Sequence, residues 1–167
     1  MATDQCKIRL VRQLDNHVLA QVLRDVLIEM NVLKQGTAFA DPEFDAIYDT
    51  YLAEKANYWV VCLGNHILGG AGITPLRDGP IGYCELQKMY FLPEARGKGL
   101  GNKLMKQCLT QARSYGYTNI YLETMPNMIH AQNLYKKWGF TYINHPLGNT
   151  GHCSCPIWMV KSLKDDD

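Results

Sequence analysis

The chain has 167 residues, enough for one domain with a substantial core, and its 47% hydrophobic and 20% charged content is ordinary for a globular protein. Seventeen basic side chains stand against sixteen acidic ones, so no broad field exists to attract nucleic acid or anionic lipid. No apolar run approaches the roughly 20 residues of a membrane span, and the N-terminal MATDQCKIRL lacks the apolar stretch of a secretory signal. A cytoplasmic protein with its six cysteines reduced is expected. A single domain is expected over residues 1–167, with a solvated tail from about 161.

In chain order, Lys7–Val11 alternates as a strand, with Ile8 and Leu10 on one face. A helix follows over Asn16–Met30, where Val18, Leu19, Val22, Leu23, Val26, Leu27 and Met30 recur at three- and four-residue spacing. KQGTAFADPEF is a loop, closed by Asp41 as an N-cap and Pro42 at the first position of a second helix. That helix carries Phe44, Ile47, Tyr48, Tyr51 and Leu52 as its stripe. Three strands come next, Tyr58–Leu63, Ile67–Thr74 and Tyr83–Leu92, the first two joined by a tight turn at Gly64-Asn65. A glycine-rich turn opens a helix over Gly99–Tyr115, a strand covers Asn119–Thr124, and a helix over Met128–Trp138 stops at Gly139. Strands near Tyr142–Asn144 and Pro156–Val160 finish the chain. The order β-α-α-β-β-β-α-β-α-β-β joins an antiparallel meander to a β-α-β unit, whose strands should be parallel with a right-handed crossover. The expected class is α/β (α+β) with a mixed, mostly antiparallel sheet and helices on its faces.

The turn is the most informative segment. A strand ends at Leu92, Pro93 stops it, and Arg96-Gly97-Lys98-Gly99-Leu100-Gly101 opens a helix. Glycines let the backbone approach a ligand closely, and a helix N-terminus favours an anion, so this turn suits a phosphate or pyrophosphate. A P-loop would need G-x-x-x-x-G-K-[ST] and a dinucleotide fold G-x-G-x-x-G; the chain has G-x-G-x-G, which excludes both.

Arg96, Gly99 and Gly101 match the acetyl-CoA motif [QR]-x-x-G-x-[GA] of the GNAT acetyltransferases. Downstream, M-I-H-A-Q-N-L-Y-K-K-W-G-F over Met128–Phe140 resembles that family's second motif, N-x-x-A-x-x-[LF]-Y-x-x-x-G-F. Ala131, Leu134, Tyr135, Gly139 and Phe140 fall in register, while Met128 replaces the first asparagine and Asn127 stands one place early. The resemblance covers nearly the whole chain and implies a GNAT-like fold. It also implies acetyl-CoA as cosubstrate and acetyl transfer to an amine, with relatives that pair as homodimers.

On this resemblance, Met89, Tyr90 and Phe91 would offer backbone groups to the pantetheine arm. Gly97, Lys98, Gly99, Leu100, Gly101 and Asn102 would wrap the pyrophosphate, with Arg96 and Lys98 adding charge at the rim. The two parallel strands would splay apart to hold the thioester. Tyr135 is the candidate acid, able to protonate the departing thiolate. Glu85, four residues before Met89, is the candidate base, and strand alternation would put Glu85, Gln87 and Met89 on one face. Glu123 is the other carboxylate considered for that role, and a water chain is the alternative to either.

His145, His152, Cys153 and Cys155 gather in HPLGNTGHCSC, but C-x-C without a second cysteine pair is poor zinc spacing, so no metal is expected. That loop and KQGTAFADPEF are expected to wall the acceptor pocket. A small primary amine is the first expectation for the acceptor. A protein or peptide amine, a non-catalytic CoA-binding module and a binder of some other phosphate ligand remain alternatives.

Overall fold

The computed structural model describes residues 5–32, 42–152 and 154–164. Its elements are β1 (Lys7–Leu10), α1 (Asn16–Glu29), a 3-10 turn at Pro42–Ala46, α2 (Ile47–Thr50), β2 (Asn57–Leu63), β3 (His66–Pro75) and β4 (Tyr83–Phe91), followed by α3 (Leu100–Ser114), β5 (Asn119–Thr124), α4 (Ile129–Lys137), β6 (Thr141–Ile143) and β7 (Ile157–Ser162). The strands form one sheet in the order β1-β2-β3-β4-β5-β7-β6, antiparallel throughout except for β4 against β5. This is the expected mixed sheet with a central β-α-β unit.

Why helices cover both faces is visible in β2, where five consecutive residues, Tyr58 to Cys62, are buried. Tyr58, Val60 and Cys62 face Leu19, Leu23, Leu27, Phe44 and Ile47, while Trp59 and Val61 belong to the core under α3 with Leu104, Met105 and Cys108. Leu19, Leu23 and Leu27 are at most 1% exposed, and each such burial is worth roughly 1.5–3 kcal/mol. The cysteines in these cores, Cys62, Cys84 and Cys108, are free thiols, as are Cys6 and Cys155.

Some expectations need correction. Val18 is 49% exposed, because it sits roughly 120° around the helix from the centre of the stripe made by Leu19, Leu23, Val26 and Leu27. Leu52 is 64% exposed: α2 ends at Thr50, so helical spacing no longer applies beyond it. Pro42 starts a 3-10 turn instead of an α-helix; the expected N-cap Asp41 lies outside the described residues. The tail boundary at 161 is also too early. Lys161 and Ser162 complete β7, and Leu163 is buried, its N–H donating to Thr118 O at 2.8 Å.

Two irregularities position the site. In β4, Gln87 pairs with Gly72 and Tyr90 with Gly70, so three steps of β4 oppose two of β3. Lys88 takes φ 51° in this bulge. The Lys88 carbonyl accepts a hydrogen bond from Tyr58 Oη at 2.8 Å. Gly70 and Gly72 leave the room Tyr58 needs, since a Cβ at either would stand 2.6 Å from a Tyr58 ring atom. The second irregularity is a splay. β4 and β5 pair only from Tyr83↔Asn119 to Glu85↔Tyr121, so the edge of β4 beyond Glu85 carries no pairing to β5.

Candidate active site

The bulge overturns one sequence expectation. Glu85 and Gln87 share a face, but the extra residue turns Met89 to the other side, into the core under α3, and brings Tyr90 to the α1 side instead.

Below the splay lies a cleft of about 600 Å³. Met89, Tyr90 and Phe91 form one wall, Arg96, Gly97, Gly99, Leu100, Gly101 and Asn102 one end, and Ala131, Leu134 and Tyr135 of α4 the opposite side. The residues singled out for the cosubstrate, with Tyr135, thus converge on one cavity. Lys98 is the exception: it is exposed and does not line the cleft.

Gly97 (φ 71°) and Gly99 (φ 74°) adopt conformations that favour glycine, and a Cβ at either would meet no protein atom within 4 Å. Glycine is there for backbone shape and leaves the surface open. Gly99 caps α3, and Lys103 N–H bonds back to Gly99 O at 3.2 Å. The N–H groups of Leu100, Gly101 and Asn102 therefore precede the helical ladder, at the positive end of a 15-residue helix. That arrangement fits the phosphates of a nucleotide-bearing thioester.

Three polar side chains beside the cleft, Arg96, Asn102 and Asn127, are used to hold the frame. Arg96 makes a bidentate pair with Glu29 of α1 (2.7 and 2.8 Å) and donates to Phe91 O. Asn127, the displaced motif asparagine, donates to Met30 O at 2.6 Å. Both tie down the C-terminal end of α1, where Val26 and the adjoining Met30 line the cleft. Asn102 accepts from Trp138 Nε1 at 2.9 Å, joining α3 to α4.

Tyr135 is 6% exposed, and its ring meets Phe140 at 5.9 Å between centroids. It is both a core aromatic and a cleft residue. Burial, with Cys108 nearby, pushes its hydroxyl well above the usual tyrosine value, so it keeps its proton.

The cleft adjoins a smaller inner cavity of about 30 Å³, with Tyr90 and Met128 lining both. Glu85, Gln87, Lys88, Glu123 and His152 line the inner one. Glu85 is 3% exposed, and burial raises its pKa to about 7. Opposing that shift, Gln87 Nε2 donates to it at 2.8 Å, and Tyr51 Oη in turn donates to Gln87 at 2.5 Å. Glu123 is likewise raised by burial and accepts from Thr150 and Tyr121. One atom each of Glu85, Glu123 and His152 lie within 4.8 Å of one another, close enough to hold a divalent cation or to exchange protons through one bridging water.

In the sequence His152 offers a poor zinc ligand and a place in a pocket-walling loop; its approach to Glu85 has no local signal because β4 and the β6–β7 loop meet only in the fold. Of the other residues in that zinc reading, His145 is exposed and stays apart, Cys155 lines the inner cavity, and Cys153 lies outside the described residues. The loop itself is held down: Leu147 N–H donates to Tyr121 Oη (3.2 Å) and Asn149 N–H to Arg77 O (2.7 Å). From the other expected wall, Glu43 lies 3.7 Å from Lys88 Nζ, and Phe44 packs beneath that ammonium.

Among the described residues, no helix is long and apolar enough to cross a membrane. The sequence profile of the Acetyltransferase (GNAT) family matches residues 23–140. The uncharacterized N-acetyltransferase YjgM of Escherichia coli (strain K12) is 42% identical over 150 residues, 89% of this chain and 90% of that protein. A GNAT-family acetyltransferase structure from Staphylococcus aureus Mu50 superposes with a TM-score of 0.82 at 20% identity, covering 96% of this chain and all of the other. A putative acetyltransferase of Salmonella typhimurium, yncA, solved with its cofactor acetyl-CoA, gives 0.73 at 18% identity, covering 96% and 95%.

Proposed function

The chain belongs to the GNAT acetyltransferase family, and on that footing we propose that it acetylates the primary amine of a small acceptor by direct attack on acetyl-CoA. The family makes it an acetyl-CoA-dependent acyltransferase. One observation carries it: the cleft ending on the α3 N-terminus meets, at Tyr90 and Met128, a cavity holding a buried carboxylate.

The Leu100, Gly101 and Asn102 N–H groups receive the pyrophosphate, with Gly97 and Gly99 shaping the turn beside it. The open edge of β4 at Met89–Phe91 bonds the pantetheine amides. The cosubstrate supplies an activated acetyl group. Glu85 takes the proton of the attacking amine; with a pKa of about 7 it is substantially carboxylate at neutral pH. An alkyl ammonium, with a pKa near roughly 10, needs such an acceptor before its lone pair is free. Tyr135 gives a proton to the leaving sulfur.

The small acceptor is supported by the size of the inner cavity, about 30 Å³, beside which the β6–β7 loop is held in place by bonds to Tyr121, Arg77 and Glu123. Thiol release from acetyl-CoA, followed across amino acids, aminoalkanes, polyamines and a lysine-containing peptide, tests this. Small amines should turn over and the peptide should not; a peptide acetylated faster than every small amine would refute the small-acceptor reading.

A further inference from the structure

A buried base must discharge its proton every turnover, and Glu85 at 3% exposure has little direct access to water. Beyond the inner cavity lies an outer one of about 200 Å³, lined by Pro146, Gly148, Asn149 and Gly151 of the β6–β7 loop. Glu123, His152 and Cys155 line both, so they stand between the buried carboxylate and the outer space. The loop also fixes the histidine: His152 N–H donates to Thr150 Oγ1 (3.2 Å), whose hydroxyl donates to Glu123.

Resting on the acetyl-transfer reading above, we propose that His152, with Glu123, is the exit for the proton that Glu85 takes from the acceptor amine. The amine nitrogen bonds to the acetyl carbon, the carbon–sulfur bond breaks, and Tyr135 protonates the sulfur. An ammonium acceptor loses two protons from nitrogen, one before attack and one as the amide forms; each goes to Glu85, then through a bridging water to a ring nitrogen of His152, which becomes imidazolium, and from there to Glu123 or water in the outer cavity. Tyr135 recovers its proton from solvent. Two protons leave the nitrogen by this route and one returns through Tyr135 to the sulfur, so a net one proton is released per turnover and the charges balance.

The groups around this route suit it. Glu85 and Lys88 face it from β4, Tyr121 and Glu123 from β5, Trp158 from β7, and Thr150 and Cys155 from the loop. His152 does not touch the acetyl group in this scheme, so its loss slows regeneration of Glu85 without weakening acetyl-CoA binding.

The test uses His152→Ala and His152→Gln in the full chain, with n-butylamine or the fastest primary amine of the panel as acceptor. Expected are a fall in kcat of about tenfold, an unchanged KM for acetyl-CoA, and recovery of the alanine variant by added imidazole. A variant with wild-type kcat across the neutral range would overturn the proposal. So would a lower kcat that imidazole and higher buffer leave untouched, which marks a structural role. Turnover that requires an added divalent cation and stops with a chelator would assign the three side chains to a metal instead, and also overturns it. Glu85→Gln run alongside separates the two readings: if that variant keeps full activity, the base assignment itself fails, whatever His152 does.

Discussion

Replacing Glu85 by Gln should change how stability depends on pH, with a sign and size set by burial. The carboxyl is 3% exposed and its pKa rises from 4.5 to about 7 on folding. Between those values the folded state binds more protons than the unfolded one, so stability falls as pH rises. The contribution is fully present below about pH 4.5 and gone above about pH 7. At 1.36 kcal/mol per pKa unit, the protonated carboxyl contributes roughly 3 kcal/mol at the acid end. Glutamine keeps an oxygen acceptor for Gln87 but cannot titrate. Urea unfolding of both proteins at a series of pH values isolates the effect. The wild type should lose that amount relative to the variant between pH 4.5 and 7, and both should still show the smaller, same-signed slope left by Glu123, whose pKa is also raised. Parallel curves for the two proteins would mean that Glu85 ionises as an ordinary surface carboxylate, and the argument for a base poised near neutrality would fail.

Tyr135→Phe should lower kcat by about 10²-fold with KM for acetyl-CoA unchanged, because the packed ring against Phe140 is kept and only the proton donor goes; steady-state thiol release checks it. Gly72→Ala places a Cβ 2.6 Å from Tyr58 and 2.7 Å from Tyr51, so denaturant unfolding should register about 1–3 kcal/mol of destabilisation. Because Tyr58 is the ring that reaches the Lys88 carbonyl, the same change should also weaken acetyl-CoA binding, measurable by calorimetry.

Local signals carried much of this protein. The stripe of Leu19, Leu23, Val26 and Leu27 predicts α1, and the glycines at 97 and 99 predict a turn that is open to a ligand, because helical period and positive φ are properties of a few adjacent residues. The Lys88 bulge is different. Lysine gives no sign of a left-handed backbone, and the bulge depends on Gly70, Gly72 and Tyr58 from two other strands. One hidden residue was enough to turn Met89 away from Glu85. The Arg96 and Asn127 side chains were similarly illegible, since their partners Glu29 and Met30 lie 67 and 97 positions away. His152 was visible as a residue but not as a neighbour of Glu85 and Glu123, since nothing in a loop sequence says which carboxylates it will meet.

The central claim is that the cleft at the α3 N-terminus holds acetyl-CoA, and a thermal-shift titration of the wild type beside Gly99→Glu tests it most directly. The glutamate side chain meets no protein atom near its Cβ, so the variant should fold, with strain at φ 74° of about 1–2 kcal/mol, while placing a negative charge where phosphate belongs. At acetyl-CoA a hundredfold above its Kd, the wild type should gain about 2.7 kcal/mol, a Tm rise of roughly 5–10 °C, and the variant should gain none. An equal rise in both proteins would put the ligand elsewhere, and no rise in either at millimolar acetyl-CoA would contradict the account.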